Sequence, residues 1–227
     1  MLKKNSYNIA VVGLGNIGNY FINFLIKNKK IICDKTNSNI NKIYISAKNR
    51  NKKRKLPINK KIIWLNNYKE IFNNKDIDIV VELIGNSEGP AKDLVFSSLS
   101  KKKHVITANK ALIAKHGNLL SKIAEKNKVN LEYEAAVCGG VPIIRSIKEG
   151  LIANKISRIC GIFNGTSNYV LSSMDENQTS FKDTINKAIK LGYAESNPSS
   201  DINGEDVASK VKILSCLSFN SFINKNI

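Results

Sequence analysis

Short apolar runs alternate with longer amphipathic stretches from residue 8 to about residue 137. The run "NIAVV" at 8–12 is closed by Gly13 and predicts a buried strand. From Asn16 to Lys27, Ile17, Phe21, Phe24 and Leu25 recur at helical spacing and predict a helix with these residues on its core face. Residues 31–41 read as loop, "KIYISA" at 42–47 as a second strand and "KKIIW" at 60–64 as a third. "YKEIFNN" predicts a short helix and "IDIVVELIG" at 77–85 a strongly apolar strand. "AKDLVFSSLSKKK" predicts a helix, "HVITAN" at 104–109 a strand, "ALIAKHGNLLSKIAEKNK" a helix and "VNLEYEAAV" at 129–137 a strand. Strands that alternate with helices predict a parallel sheet with right-handed crossovers.

The rhythm then changes, and a domain boundary is expected near 130–137, giving units of 1–133 and 134–227. "VPIIRSIKEGLI" reads as helix, and "KISRICGIFN" alternates in part, as a half-exposed strand does. "FKDTINKAIKLG" predicts a helix stopped by Gly192. "GEDVASKVKILSCLSF" predicts a further helix, with Val207, Val211, Leu214 and Leu217 on one face.

Composition changes this picture little. A hydrophobic share of 42% is ordinary for a packed core. Lys and Arg number 36 against 18 Asp and Glu, a net charge of +18 that ordinarily points to nucleic acid or an anionic membrane. Lysine, asparagine and isoleucine are abundant together and share A/T-rich codons, so biased codon usage accounts for the excess. Neither nucleic acid nor membrane is expected as a partner. Cys33, Cys138, Cys160 and Cys216 form no CxxC pair, and neither His104 nor His116 lies near one in sequence. That pattern fits reduced thiols in the cytoplasm better than zinc or a disulfide framework.

The sharpest local signal is "VVGLGNIG", a G-x-G-x-x-G at Gly13, Gly15 and Gly18 between a strand and a helix. The first glycine allows the tight turn. The second leaves room for a pyrophosphate, and the third lets the helix pack closely. The helix N-terminus then faces the phosphates. Gly13, Gly15, Asn16, Ile17 and Gly18 are therefore candidate cofactor contacts in a Rossmann-like α/β domain. An acid at the end of the next strand would bind the ribose 2′-hydroxyl of NAD. This chain has "IYISAKNRNKKRK" there, with Lys48 and Arg50. Arg50 suits a 2′-phosphate, so NADP(H) is favoured, with NAD(H) possible. The ordinary alternative is a solvated basic loop.

"GYAESNPSSDINGEDVASK" gathers Glu195, Asp201, Glu205 and Asp206 ahead of Lys210. Acids at a helix start are commonplace. Asp206 and Lys210 at i, i+4 would contribute only ~0.3–0.5 kcal/mol as a surface pair. The alternative is a pocket for a small cation beside a lysine that moves a proton. Lys110, at the end of a strand in "ITANKALIA", stands at the sheet edge where ligands bind in such folds.

In order along the chain, "GLGNIG", "VVELIG", "TANKAL", "EAAVCGGVPII", "GIFNGTSNY", "LGYAE" and "DINGEDVASK" resemble homoserine dehydrogenase. The resemblance implies reversible NAD(P)H-dependent reduction of L-aspartate 4-semialdehyde to L-homoserine, in threonine and methionine biosynthesis. It implies Lys210 and Lys110 as catalytic lysines, with Glu195, Asp201, Asp206, Gly165 and Thr166 around the substrate. Gly192 and Lys110 would lie near the cofactor. Glu134 with the carbonyls of Val137, Gly139 and Val141 would hold a structural sodium or other alkali cation. It further implies a homodimer formed through the second domain. Family members continue beyond the stretch matched here. The second unit is therefore expected to be an incomplete α+β substrate and dimerisation domain. The alternative function is a truncated, inactive or partner-dependent chain that binds NADP(H) without turnover. Asn86 stands where the family often has a second glycine after "ELIG", and asparagine tolerates positive φ.

Overall fold

The computed structural model describes residues 5–194 and 198–219. The chain divides into two compact units, Met1–Ala136 and Val137–Ile227.

In the first unit the elements run β1 (Ser6–Val12), α1 (Asn16–Lys27), α2 (Lys29–Thr36), β2 (Asn39–Ser46), β3 (Ile62–Trp64), α3 (Glu70–Asn73), β4 (Ile79–Glu82), α4 (Pro90–Ser100), β5 (His104–Thr107), α5 (Lys110–Asn127) and β6 (Leu131–Glu132). A 3-10 turn follows over Glu134–Ala136. The six strands form one sheet in the order β3-β2-β1-β4-β5-β6, and every neighbouring pair is parallel. This is the strand order of a doubly wound dinucleotide-binding sheet, with its switch point between β1 and β4. Right-handed crossovers running outward in both directions from that point put α1 on one face and α4 and α5 on the other.

The strands are continuously apolar because both faces are covered. Ile9 and Val11 of β1, Ile43 and Ile45 of β2 and Val81 of β4 share a core with Leu14, Ile22 and Leu25. Ala10, Val12, Val80, Leu94, Val95, Leu99, Val105 and Leu112 are also buried. Each fully buried aliphatic side chain contributes about 1.5–3 kcal/mol.

The structure alters several expectations in this unit. Ile17 and Phe24 are not core residues of α1: Ile17 is 64% exposed, and the buried positions are Gly18, Ile22 and Leu25. The helix is turned so that Gly18, Ile22 and Leu25, rather than Ile17 and Phe24, face the core. Residues 29–36 form α2, although none of its residues is buried, so no apolar face announced it. The strand expected over 129–137 is short, because the chain turns into the 3-10 segment after β6.

The described residues of the second unit are helical or irregular. They comprise α6 (Ile143–Arg145) leading into a π turn (Ser146–Gly150), α7 (Gly165–Asn177), α8 (Phe181–Leu191), α9 (Ser199–Ile202) and α10 (Glu205–Phe219). Gly192 caps α8 in the left-handed conformation, φ 79°, as its position predicts. On α10 the buried residues are Ile213, Leu214 and Ser215, so Leu214 alone of the four expected apolar residues is fully buried. The alternating segment 155–164 forms no strand. Among the described residues of this unit no other strand is present to pair with it. An extended segment without a ladder partner gains nothing from strand geometry.

Candidate functional site

The turn after β1 is shaped by two close approaches. Gly13 has φ 100°, and a Cβ there would run into the carbonyl of Leu83 and the amide of Ile84. A Cβ on Gly18 would strike the carbonyl oxygen of Gly13, so α1 can lie against the turn only with glycine at that position. Gly15 differs: a Cβ there would meet nothing within 4 Å. It is the N-cap of α1 and provides no side-chain cap. The N-terminus of a twelve-residue helix therefore begins at open space bordered by Asn16 and the exposed Ile17. That cradle fits a pyrophosphate, which backbone N–H groups and the helix dipole would hold.

Beyond β2 the basic segment is ordered around a residue that the sequence reading passed over. Arg54 donates to four main-chain oxygens: Leu14 (3.1 Å), Arg50 (3.2 Å), Lys52 (2.9 Å) and Asn49 (2.6 Å). It thereby ties the segment 49–54 to the glycine turn. Arg50 itself donates to Asn66 Oδ1 at 2.8 Å, and its guanidinium lies 5.5 Å from the Trp64 ring centroid. Arg54 lies over the same ring at 5.8 Å. The only signal for Arg54 in the sequence was its membership of a basic run.

At the far edge of β5, Asn109 caps α5, its Oδ1 accepting from Leu112 N at 3.0 Å. Lys110 is the first residue of that helix. Nearby, Glu88 receives Lys115 (2.8 Å), Lys92 (2.9 Å) and His116 (2.8 Å). Hydrogen bonds from Lys115, Lys92 and His116, in that order, pull its carboxyl down to about 2.

In the second unit Asp201, Asp206, Thr166 and Lys210 come together around Asn164, a residue the sequence reading did not single out. Asn164 is 5% exposed and caps α7, its Oδ1 accepting from Ser167 N at 2.7 Å. Its Nδ2 donates to Asp201 Oδ1 at 2.8 Å and to Asp206 Oδ2 at 3.0 Å. Thr166 Oγ1 lies 2.8 Å from the Tyr193 carbonyl and 3.1 Å from Asp201 Oδ2. Lys210 Nζ is 2.7 Å from Asp206 Oδ2 and 2.5 Å from the Phe163 carbonyl, with side-chain exposures of 17% for Lys210 and 12% for Asp206. This is not a solvated i, i+4 pair. The cluster holds two carboxylates, Asp201 and Asp206, and one ammonium, which pairs with Asp206; such a charge balance can complement a ligand ammonium. The signal for Asn164 was an N-cap residue opening "NGTS". Gly165 is the first residue of α7. Glu195 lies outside the described residues.

Glu134 belongs to the 3-10 turn that closes the first unit. Val137, Gly139 and Val141 open the second. Cys138 (φ 50°) and Gly140 (φ 90°) bend that segment, and Val141 N donates to the Cys138 carbonyl at 2.9 Å. A carboxylate and main-chain carbonyls are hard oxygen donors, of the kind that suits an alkali cation rather than zinc. Among the described residues no three His, Cys, Asp or Glu side chains gather as a metal cluster, and no helix is long and apolar enough to cross a membrane.

Residues 13–134 match the family profile described as homoserine dehydrogenase, NAD binding domain, and residues 142–226 the profile described as homoserine dehydrogenase. A homoserine dehydrogenase of Helicobacter pylori is 41% identical over 216 residues, 95% of this chain and 50% of that protein. The crystal structure of a homoserine dehydrogenase from Thiobacillus denitrificans superposes with a TM-score of 0.84 at 39% identity, over 95% of this chain and 49% of that one. A hyperthermophilic archaeal homoserine dehydrogenase in complex with NADPH shares the fold, with a TM-score of 0.77 at 24% identity over 95% of this chain and 70% of that one. The chain spans about half the length of the curated relatives it matches. With a nicotinamide-nucleotide fold in the first unit and family profiles running across both, the chain belongs to the homoserine dehydrogenase family.

Proposed function

We propose that the chain reduces L-aspartate 4-semialdehyde to L-homoserine, reversibly, with NADPH, as a step toward threonine and methionine. The observation that carries this reading is the cluster of Asp201, Asp206 and Lys210 organised by Asn164. The substrate has an ammonium, a carboxylate and an aldehyde. Asp201, Asp206 and Glu195 take the ammonium end, and Gly165 and Thr166 border the substrate. When bound, the nicotinamide supplies the hydride. Lys210 stabilises the carbonyl oxygen as it gains negative charge and gives it a proton. Asp206 holds the Lys210 ammonium in place for that task, and Lys110 is the second active-site lysine, near cofactor and substrate. Residues 1–133 serve as the cofactor domain and 134–227 as the substrate domain.

Gly13, Gly15, Asn16, Ile17 and Gly18 would hold the pyrophosphate, and Gly192 is a further candidate cofactor contact. Arg50, beside Lys48 and with no acid at the end of β2, favours NADP(H) over NAD(H). Glu134 and the carbonyls of Val137, Gly139 and Val141 would bind a structural sodium. The working form is a homodimer in the cytoplasm.

The test is NADPH oxidation by the purified chain with aspartate 4-semialdehyde, beside Lys210→Ala. The reading requires turnover in the parent and a loss of at least about a hundredfold in the variant, the scale of a general acid's contribution. NADPH binding should persist in both. Unchanged turnover in Lys210→Ala overturns the lysine's role. Binding without turnover in the parent selects the second reading, a chain that binds NADP(H) and turns over only with a partner polypeptide or not at all.

A further inference from the structure

The last residues of the four central strands form one row. Ser46, Val12, Glu82 and Thr107 are register partners across β2, β1, β4 and β5. Three of the four are polar, and all are buried. Glu82 is the extreme case, with 0% exposure in the middle of the sheet. A carboxyl in such a place is costly unless its oxygens are engaged.

They are engaged, and the partners belong to two turns. Glu82 Oε1 accepts from Ile84 N at 2.6 Å and Gly85 N at 3.1 Å. Oε2 accepts the Thr107 hydroxyl at 2.5 Å. Thr107 Oγ1 accepts in turn from Asn109 N at 3.0 Å. The Asn109 side chain divides between the two turns. Its Oδ1 caps α5, and its Nδ2 donates to the Asn86 carbonyl at 2.6 Å. The turn held in this way contains two consecutive left-handed residues, Gly85 (φ 86°) and Asn86 (φ 66°). The same turn presses on the glycine loop, since Leu83 and Ile84 are the atoms a Cβ on Gly13 would strike. Valines at the equivalent row would pack the sheet without these hydrogen bonds. The polar relay instead fixes the shape of two turns at the ligand-binding edge.

A dinucleotide on this topology lies across the switch point with its adenosine toward β2, so its nicotinamide half lies toward β4 and β5. Resting on the cofactor reading above, we propose that Glu82 is a positioning residue which, through Thr107 and Asn109, fixes the turn 83–86 and the first turn of α5 as the wall against which the nicotinamide half of the cofactor is held. Glu82 touches no reactant. It acts through backbone shape, as supporting shells do in preorganised sites.

The experiment compares two ligands on the full chain: NADPH, and adenosine 2′,5′-bisphosphate, which lacks the nicotinamide half. Affinities are titrated by fluorescence for the parent, Thr107→Val and Thr107→Ser, with a thermal melt of each. The inference requires Thr107→Val to weaken NADPH about tenfold, the scale of one ordering hydrogen bond, and to leave the bisphosphate unchanged. Thr107→Ser, which keeps the hydroxyl, should restore NADPH binding. Equal loss of both ligands, or loss of neither, overturns it, because a purely structural role does not separate the two halves of the cofactor. If Thr107→Val does not fold, Glu82→Gln is read by the same titrations. If neither folds, the relay is a stability element and the inference fails. A parent that binds NADH rather than NADPH is tested with NADH and ADP. A parent that binds no nicotinamide nucleotide overturns the cofactor reading itself.

Discussion

Asn164 joins three separate parts of the second unit. Its oxygen caps α7 while its nitrogen bridges Asp201 and Asp206, so one amide both starts a helix and keeps two acids together. Two substitutions separate these tasks. Asn164→Ala loses the cap, a cost of about 0.5–2 kcal/mol, and leaves both carboxylates without their shared donor. Asn164→Asp keeps a cap acceptor but sets a third carboxylate against the other two. Both variants should melt below the parent at pH 7. Thermal melts at pH 7 check this, and an Asn164→Asp variant as stable as the parent would rule out the bridging role.

At the scale of elements, the segments leaving the C-terminal edge of the sheet are tied down by side chains rather than by length. The approach to α4 is held to α5 by Glu88, which meets Lys92 in the first turn of α4 and Lys115 and His116 on α5. Those hydrogen bonds lower the Glu88 carboxyl from 4.5 to about 2. A carboxyl depressed in the folded state stabilises above its unfolded value and loses that contribution as pH falls through the folded value. The difference in melting temperature between the parent and Glu88→Gln should therefore be level above about pH 4.5 and close toward pH 2. The cluster is exposed, so the effect should be small and should fade in high salt. A difference that persists unchanged at pH 2 would show that packing, not charge, holds the two helices there.

At the scale of the molecule, the first unit is a complete parallel sheet with its own core on both faces, and its glycine turn opens onto free space. A ligand that binds the folded state alone stabilises it by about 2.7 kcal/mol at a hundred times its dissociation constant. NADPH should therefore raise the melting temperature of the chain by several degrees, and by the same amount in Lys210→Ala, because the role proposed for Lys210 is at the substrate carbonyl and not in holding the cofactor. Differential scanning calorimetry with and without NADPH reads this directly. No shift at saturating NADPH would count against cofactor binding whatever the turnover assay gives.

The residues legible in the sequence are those whose reasons are local. Gly18 is a glycine because a Cβ would strike the Gly13 carbonyl, a contact within one strand–turn–helix unit, and Gly13 is legible through the tight turn its φ of 100° makes, although the atoms that crowd it come from Leu83 and Ile84. The alternation of apolar runs and amphipathic stretches likewise determined the strands and helices of the parallel sheet, since each reflects burial on its own element. Asn86 is a local case too: it adopts φ 66° where glycine would be expected. What the tertiary structure alone decided is which polar group meets which. Arg54 reaches Leu14 across 40 residues, Thr107 reaches Glu82 across 25, and Asn164 reaches Asp201 and Asp206 across 37 and 42. A polar side chain is satisfied equally well by water or by a buried partner, and its neighbours in sequence do not distinguish the two. The face of α1 and the failed strand at 155–164 follow the same logic, for a core face needs a sheet to meet and a strand needs a partner. Composition and spacing name the groups, and only the packed chain brings them within hydrogen-bonding distance.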